Sequence, residues 1–368
     1  MSYEKDERIV LTLDAGGTNF VFSAIRGNEE IVGPVRLPSE ADQLDRSLNN
    51  LVKGFEQVRS NLDEEPVAIS FAFPGPADYE RGIIGDLGNL PGYRGGVALG
   101  PMLQEQFNLP VFINNDGDLF AYGEALSGSL PYVNQLLEDA GSPKRFKNLL
   151  GITLGTGLGG GIVSDGRLYK GDNSAAGEMW LLRNKLDSNW NAEEGACIRA
   201  VQRTYGQLTN LKPEEIPTPK DIYEIAEGKQ EGNRDAALKA YDRMAEVLGD
   251  ALANALTLLD GMVVIGGGLA GAQHLFLQKV VDELNGTLKS PGGEFINRLV
   301  SKVYNLENKE QQAAFCKGDV REIKVPKSDK TLQYDPVKRI GVSISKLGTS
   351  EAIAIGAYSV ALQALDAQ

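Results

Sequence analysis

The chain of 368 residues is 42% hydrophobic and 7% aromatic, which is typical of a folded globular protein rather than a disordered one. Its length predicts roughly two domains. The net charge of −13 disfavours binding to the phosphate backbone of nucleic acid, and no dense run of lysine or arginine offsets it. We therefore expect a protein that binds no nucleic acid.

The sequence also predicts a cytoplasmic protein. The first residues, Met1 to Arg8, are polar and charged, so they contain no signal-peptide core. No run of 18 or more apolar residues occurs, so no membrane span is expected. The two cysteines, Cys197 and Cys316, lie far apart in sequence, which fits a reducing compartment better than a disulfide framework.

Short apolar runs bounded by glycine, proline and asparagine predict a series of strands, separated by longer helical patterns. The predicted strands cover 9–13, 20–25, 31–37, 66–73, 110–113, 149–154, 160–163, 262–265 and 339–345. The predicted helices cover 41–58, 97–107, 119–126, 236–259 and 349–365, the last with Thr349 or Ser350 as its cap. Two polar stretches, 129–147 and 305–338, are interpreted as surface insertions.

The pattern of a strand, a glycine-rich turn and a returning strand occurs near residue 14 and again near residue 155. Each copy is followed by further helices and strands. This weak internal similarity indicates a duplicated α/β domain.

Three glycine-rich turns each close an apolar strand. Backbone N–H groups at such turns can approach a phosphate closely, because glycine has no Cβ and tolerates positive φ. One such turn alone is as well explained by a tight hairpin without a ligand, and neither the P-loop nor the dinucleotide fingerprint is complete. Together the three turns predict a nucleotide site. Its candidate residues are Asp14, Gly16, Gly17, Thr18 and Asn19 in the first turn, Gly155, Thr156 and Gly157 in the second, and Gly266, Gly267 and Gly268 in the third.

At this point the sequence resembles the ROK sugar kinases, within the sugar kinase, Hsp70 and actin superfamily. The stretches that carry the resemblance keep the family's order and spacing over nearly the whole chain. They are Leu13 to Asn19, Phe73-Pro74-Gly75-Pro76, Leu87 to Gly95, Asn114-Asn115-Asp116 with Gly123-Glu124, Leu154 to Gly161, Gly177-Glu178 and Val264 to Leu269.

The resemblance implies an α/β protein with the actin-like ATPase fold, built from two lobes of ribonuclease-H-like topology with the active site in the cleft between them. We expect a small lobe at 1–117, completed by a final helix at 349–368, and a large lobe at 118–348. The implied reaction is phosphorylation of a hexose or amino-sugar hydroxyl by ATP with Mg²⁺. The resemblance also implies a homodimer, and no pattern in the residues tests this expectation.

The resemblance also assigns roles to single residues. Asp116 matches the catalytic base, although an aspartate after a strand is otherwise most simply a helix cap. Asp14 matches the residue that binds Mg²⁺ in the family, and it would do so through water. Otherwise its side chain would cap the turn. Thr18 and Thr156 would assist the phosphates. The positions implied for sugar binding are Gly75, Asn89, Asn115, Asp116 and Glu178. Without the resemblance, Asn89, Asn115 and Glu178 would be interpreted as polar loop residues with their hydrogen bonds satisfied.

The sequence departs from the family at its structural zinc motif. Gly177-Glu178 is followed by Met179 and no histidine, and 186–200 holds only Cys197. Because a structural zinc site needs about four nitrogen or sulfur ligands, we expect no zinc. Glu193 or Glu194 could replace a sugar-binding glutamate of that motif.

Three other functions compete with that of a sugar kinase. A catalytically weak, kinase-like sugar sensor fits the altered loop, but it would not need the set of Asp14, Asp116 and the glycine turns. A repressor is disfavoured because the first strand starts near Ile9, which leaves no room for a DNA-binding domain before it. An acyl-phosphate-forming kinase of the same fold lacks support from the Asn115-Asp116 segment.

Overall fold

A computed structural model describes residues 3–16, 18–75, 77–85 and 91–367 of the chain. Its internal contacts group the chain into two compact units. The first comprises the chain up to Gly128, Arg167–Gly177 and the chain from Leu347 onward, and the second comprises Ser129–Gly166 and Glu178–Lys346. The domain boundaries predicted from the sequence stay a prediction.

The strands alternate with helices along most of the chain, as the short apolar runs predict. In chain order the strands are β1 (Val10–Ala15), β2 (Asn19–Arg26), β3 (Glu29–Pro38), β4 (Ala68–Ala72), β5 (Ala77–Asp78), β6 (Ile83–Ile84), β7 (Val111–Asn114), β8 (Leu149–Leu154), β9 (Leu158–Ser164), β10 (Arg167–Tyr169), β11 (Met262–Gly266), β12 (Thr287–Lys289), β13 (Phe295–Asn297), β14 (Lys302–Asn305), β15 (Arg321–Lys324), β16 (Thr331–Tyr334) and β17 (Arg339–Ile344). Each strand expected from the sequence is present within a few residues of its predicted position.

The helices are α1 (Leu44–Arg59), α2 (Leu99–Phe107), α3 (Asp116–Leu126), α4 (Ser129–Asp139), α5 (Ile198–Thr209), α6 (Pro219–Ala226), α7 (Arg234–Leu259), α8 (Gln273–Leu284), α9 (Lys309–Lys317) and α10 (Thr349–Asp366). Short 3₁₀ turns lie at Pro91–Tyr93, Met179–Leu181, Pro213–Glu215 and Gly268–Ala272. Among the described residues, no helix has both the length and the hydropathy that a bilayer crossing requires.

The first unit is built on a sheet of strand order β3-β2-β1-β4-β7. The hairpins β1–β2 and β2–β3 are antiparallel, whereas β4 pairs in parallel with β1, and β7 pairs in parallel with β4. One face of the sheet is covered by α1 through a cluster of buried rings. Phe22 and Phe55 meet edge to face with ring centroids 5.0 Å apart, and Phe71 joins them. Burial of such rings supplies much of the stability of a core of this size.

The helices α3 and α10 of the first unit pack against each other at backbone distance. A Cβ on Gly123 would lie 2.0 Å from the carbonyl oxygen of Ala352, and one on Gly356 would lie 2.0 Å from that of Leu119. Only glycine at both positions permits this approach, because no side-chain atom fits at such a distance. The contact fixes the helix that begins at Asp116 against the terminal helix.

The second unit repeats the strand pattern of the first. Its strands run in the order β9-β8-β11-β17-β14. As with β1 and β2, β8 and β9 form an antiparallel hairpin, and β8 pairs in parallel with a later strand, β11. The next neighbours, β17 and β14, are also parallel. The repeated topology agrees with the duplication inferred from the two glycine-rich hairpins.

Three sequence-based expectations about local structure are wrong. The stretch 129–147 is not a bare insertion, since α4 buries Leu130, Val133 and Leu137 on one helical face. That spacing of three and four residues was visible in the sequence, but the surrounding polar residues obscured it. In 305–338, α9 buries Phe315, although the β15–β16 hairpin is exposed as expected.

The third error concerns the start of α10. Its N-cap residue is Gly348, at φ 84°, so neither Thr349 nor Ser350 occupies the predicted cap position. The left-handed backbone at the cap position suits glycine, and this is a geometric requirement that the preference for hydroxyl caps does not include.

We expect Gly356→Ala to lower the free energy of unfolding by about 1–3 kcal/mol, the usual cost of overpacking, because α3 and α10 must separate to admit the methyl group. Thermal and urea unfolding measure the loss. Gly271→Ala is the matched control, since its Cβ would meet no atom within 4 Å. In an open helix, replacing glycine with alanine stabilises by about 1 kcal/mol, so a Gly356→Ala protein that is more stable than the wild type would contradict the close contact.

Candidate functional site

Parallel pairing brings the ends of three strands to one edge of the first sheet. Asp14 on β1 lies opposite Ala72 on β4, and Ala72 lies opposite Asn114 on β7. Ligands of open α/β sheets bind at the carboxyl ends of the strands. The structure therefore places Asp14 and the segment Asn115-Asp116, about one hundred residues apart in sequence, at the same edge.

The segment after β7 turns directly into α3. Asn115 is the N-cap, and its side-chain oxygen accepts a hydrogen bond of 2.8 Å from the Gly117 N–H. Asp116 is the first helical residue and accepts from the same N–H at 2.9 Å. The capping role considered for Asp116 thus belongs to Asn115. The sequence placed the helix start three residues late, at Leu119, because the polar residues before it interrupt the apolar pattern.

Asp116 combines accessibility to water with a raised pKa. Asp116 is exposed to solvent at its surface, yet the protein atoms around its carboxylate weaken the hydration of the charged form. This partial desolvation raises the pKa of Asp116, the hydrogen bond from Gly117 lowers it, and the nearby charge of Asp14 raises it by a smaller amount. A carboxylate with a raised pKa that a substrate can reach is suited to accept a proton.

The β1–β2 turn presents the other predicted residues of the first unit. Gly16 donates its N–H to the Asn19 carbonyl at 3.0 Å, and the Thr18 carbonyl accepts from Ser39 at 3.0 Å. Asp14, Thr18 and Asn19 are all exposed to solvent in this turn. Gly17 lies outside the described residues.

Tyr79 joins two of the predicted substrate segments, and the sequence analysis missed it. Its hydroxyl donates to the Phe73 carbonyl at 3.0 Å and lies 3.5 Å from the Asn115 side-chain nitrogen, which donates to it. Gly75 lies beside the same hydroxyl, 2.9 Å from where its Cβ would be. Nothing in the sequence marks this tyrosine, because its role depends on a turn that returns it to the end of β4. The predicted sugar residue Asn89 lies outside the described residues.

In the second unit, the two predicted glycine turns are neighbours. The Gly155 N–H donates to the Gly157 carbonyl at 3.0 Å, which closes the turn between β8 and β9. Gly267 follows the adjacent strand β11 at φ 87°, and a Cβ there would lie 2.3 Å from the Leu154 carbonyl oxygen. Gly266, which is buried, and Gly268, which is exposed, flank it. The carboxyl ends of β8 and β11 therefore form one edge with two glycine turns.

The expectation of positive φ holds for Gly267 but not for Gly157, whose φ lies outside the left-handed region. At position 157 a Cβ would instead meet a side chain, since it would lie 2.6 Å from a carboxylate oxygen of Glu193, which would have to move.

The segment that leads into α5 fastens the turn at Gly155. The Ile198 N–H donates to the Gly155 carbonyl at 2.9 Å, and the Leu158 N–H donates to Glu193 at 3.0 Å. Arg199 donates to the Thr156 carbonyl and pairs with Glu193 at 2.9 Å. Glu193 was considered as a sugar ligand, whereas its contacts in the structure are to the predicted phosphate turn. The sequence could not reveal this, because the contacts depend on how the loop returns to β8.

Glu178, the remaining predicted sugar residue, is exposed and accepts a hydrogen bond from the Trp180 indole. It belongs to the second unit, whereas Asp14, Gly75, Asn115 and Asp116 belong to the first.

The acidic residues of the site suit magnesium. Among the described residues, no group of three or more histidine, cysteine, aspartate or glutamate side chains is placed to hold a metal ion. Mg²⁺ needs only one or two carboxylates, because water and substrate phosphates supply its other ligands. Asp14 is therefore compatible with a magnesium ion that arrives with a nucleotide, and its role in holding that ion stays a prediction.

Comparison with known proteins identifies the family of the chain. The model of the ROK family matches residues 10–309. The chain belongs to the ROK family. An N-acetyl-D-glucosamine kinase from Photobacterium profundum is 30% identical over 283 residues, which cover 72% of this chain and 85% of that relative. A glucokinase from Halalkalibacterium halodurans is 29% identical over 306 residues, with 74% and 84% covered.

A solved structure is similar over the full length. The glucokinase of Parabacteroides distasonis is 54% identical, covers 99% of both chains, and superposes with a TM-score of 0.91. The predicted family and the α/β actin-like ATPase fold are confirmed. Residue roles within this ROK protein stay predictions.

We expect Tyr79→Phe to destabilise the protein by about 1 kcal/mol, because the Phe73 carbonyl loses its donor, and to weaken sugar binding several-fold through Asn115. Thermal unfolding and calorimetric titration with sugar measure the two effects. Tyr169→Phe is the control, since Tyr169 is 53% exposed. Unchanged sugar affinity in Tyr79→Phe would show that the hydroxyl does not orient Asn115.

Proposed function

We propose that this protein transfers the γ-phosphoryl group of ATP to a hydroxyl group of a hexose or amino sugar. The relationship to named glucokinases and N-acetyl-D-glucosamine kinases gives the class of enzyme, a carbohydrate kinase. The observation that carries the mechanism is the position of Asp116, an accessible carboxylate with a raised pKa at the strand edge it shares with Asp14.

Asp116 acts as the general base. Its carboxylate takes the proton of the attacking sugar hydroxyl, the hydroxyl oxygen bonds to the γ-phosphorus, and the bond from that phosphorus to the β–γ bridging oxygen breaks to release ADP. Because phosphoryl transfer needs mainly positioning and charge stabilisation, a single positioned base is sufficient. Asn115 caps α3 beside Asp116, and with Gly75 it contacts the sugar. Asn89 and Glu178 are the further sugar contacts that the resemblance implies.

The nucleotide is held by backbone donors and by one carboxylate. Asp14 would hold Mg²⁺, which when bound would supply positive charge that stabilises the phosphates during transfer. The turns at Gly16–Asn19 and Gly155–Gly157 face phosphate groups, and the turn at Gly266–Gly268 receives the nucleoside.

Relatives named for glucose and for N-acetyl-D-glucosamine support both sugars as substrates, and the glucokinase of Parabacteroides distasonis, with its higher identity, favours glucose. The protein acts in the cytoplasm, as a homodimer. A sugar sensor without catalysis is the alternative, and the intact pair of Asp14 and Asp116 speaks against it.

Asp116→Asn should lower sugar-dependent ADP release by on the order of 100-fold or more, because the amide accepts no proton. The affinity for MgATP should stay within a few-fold of wild type. A coupled ADP assay and calorimetric titration measure both. Turnover within a few-fold of wild type would remove Asp116 from its role as base.

The raised pKa of Asp116 also predicts the pH dependence of activity and stability. As the pH is lowered, kcat/KM for the sugar should fall when Asp116 gains a proton. This fall should occur at a higher pH than it would for an aspartate of ordinary pKa. A carboxylate whose pKa is higher in the folded state costs stability once it is ionised, and this cost is complete above the folded pKa. Asp116→Asn should therefore melt at a higher temperature than wild type at neutral pH, and by less as the pH falls towards 4.

We also expect the purified protein to contain no stoichiometric zinc, since the residues between Gly177 and Ala200 offer one cysteine and no histidine. Elemental analysis should find less than one zinc per chain, and chelators should leave the melting temperature unchanged. One zinc per chain would contradict the prediction.

A further inference from the structure

Two side chains of opposite charge, Glu193 and Arg199, contact the turn Gly155–Gly157, and we call this pair the clasp. Glu193 accepts from the Leu158 N–H at 3.0 Å, on one side of the turn. Arg199 donates to the Thr156 carbonyl on the other side. The two side chains pair with each other at 2.9 Å, so the turn is held by one continuous chain of contacts.

The clasp leaves part of the turn available for a ligand. The Gly155 N–H and the Leu158 N–H are used within the protein. Within the described ranges, the N–H groups of Thr156 and Gly157 donate to no protein group. Consecutive N–H groups of this kind bind anions such as phosphate oxygens.

The carboxylate of Glu193 poses an electrostatic problem for such a site. One of its oxygens lies 2.6 Å from where a Cβ on Gly157 would be, so a negative charge stands beside the predicted phosphate donors. An unbalanced carboxylate at that distance would repel the nucleotide. Arg199 pairs with Glu193 at 2.9 Å and more loosely with Glu194 at 3.4 Å, so it balances the Glu193 charge beside the turn, and its side chain is 49% exposed to solvent.

We infer that the Glu193–Arg199 clasp sets nucleotide affinity. Glu193 fixes the conformation of the phosphate turn, and Arg199 neutralises the negative charge that Glu193 brings to the turn. The inference rests on the proposed function, in which the turn receives ATP phosphates. Glu193 is then a positioning residue of the nucleotide site rather than the sugar ligand considered from the sequence.

The inference predicts a particular pattern of coupling between two substitutions. Arg199→Met leaves Glu193 unbalanced and should weaken MgATP binding roughly tenfold, the effect of one partly screened charge at close range. Glu193→Gln keeps an acceptor for the Leu158 N–H and should change the affinity by less than about threefold. The double variant should bind MgATP more tightly than Arg199→Met alone, because the repelling charge is gone.

Calorimetric titration of the full-length variants with MgATP measures the coupling, and AMP serves as a ligand with fewer phosphates that should lose less affinity. Lys220→Met is the control for the loss of one positive charge, since Lys220 is exposed on α6 and pairs with Glu224 rather than with Glu193 or Glu194. Arg199→Lys retains the charge and should recover most of the affinity, even if the methionine variant folds poorly.

The inference would be overturned if the two substitutions weakened MgATP affinity independently, so that their fold-changes multiplied in the double variant. It would also be overturned if Arg199→Met bound MgATP as tightly as the control. A wild-type protein with no affinity for MgATP would instead overturn the proposed function, so the two failures are distinguishable.

Discussion

The parallel register of β1, β4 and β7 is the constraint on which the first unit's site depends. Asp14, Ala72 and Asn114 lie side by side across the three strands, so the chain that leaves each strand emerges at one edge. A shift of one residue in either pairing would turn the side chains of that strand to the opposite face. The closeness of two carboxylates at this edge, Asp14 and Asp116, is therefore a property of the sheet.

The packing around the sheet keeps that register fixed. The rings of Phe22, Phe55 and Phe71 fill one face, and the buried strand residues tolerate no slip. On the side of α3, the close contact of Gly123 and Gly356 with carbonyl oxygens holds the helix that starts at Asp116. The base is thus carried by a rigid element, which suits a residue that must meet a hydroxyl within hydrogen-bonding distance.

The sequence predicted the elements and the composition of the site better than its detailed contacts. Strands and long helices followed from short apolar runs and from periodicity, and the glycine turns marked where both sheets present their edges. Contacts made by returning loops escaped prediction, because no local pattern encodes them: Tyr79 reaching Phe73 and Asn115, and Glu193 reaching Leu158. The glycine cap at position 348 escaped for a related reason, since its φ is set by the chain's direction into α10.

The measurement that tests the central claim most directly is mass-spectrometric detection of sugar phosphate after incubation of the wild-type protein with ATP, Mg²⁺ and single sugars. The panel comprises glucose, fructose, mannose and the N-acetylhexosamines. The account predicts a phosphorylated product with at least one of them, strictly dependent on both ATP and Mg²⁺. Sugar binding without any phosphorylated product across the panel would contradict it and would favour a sensor.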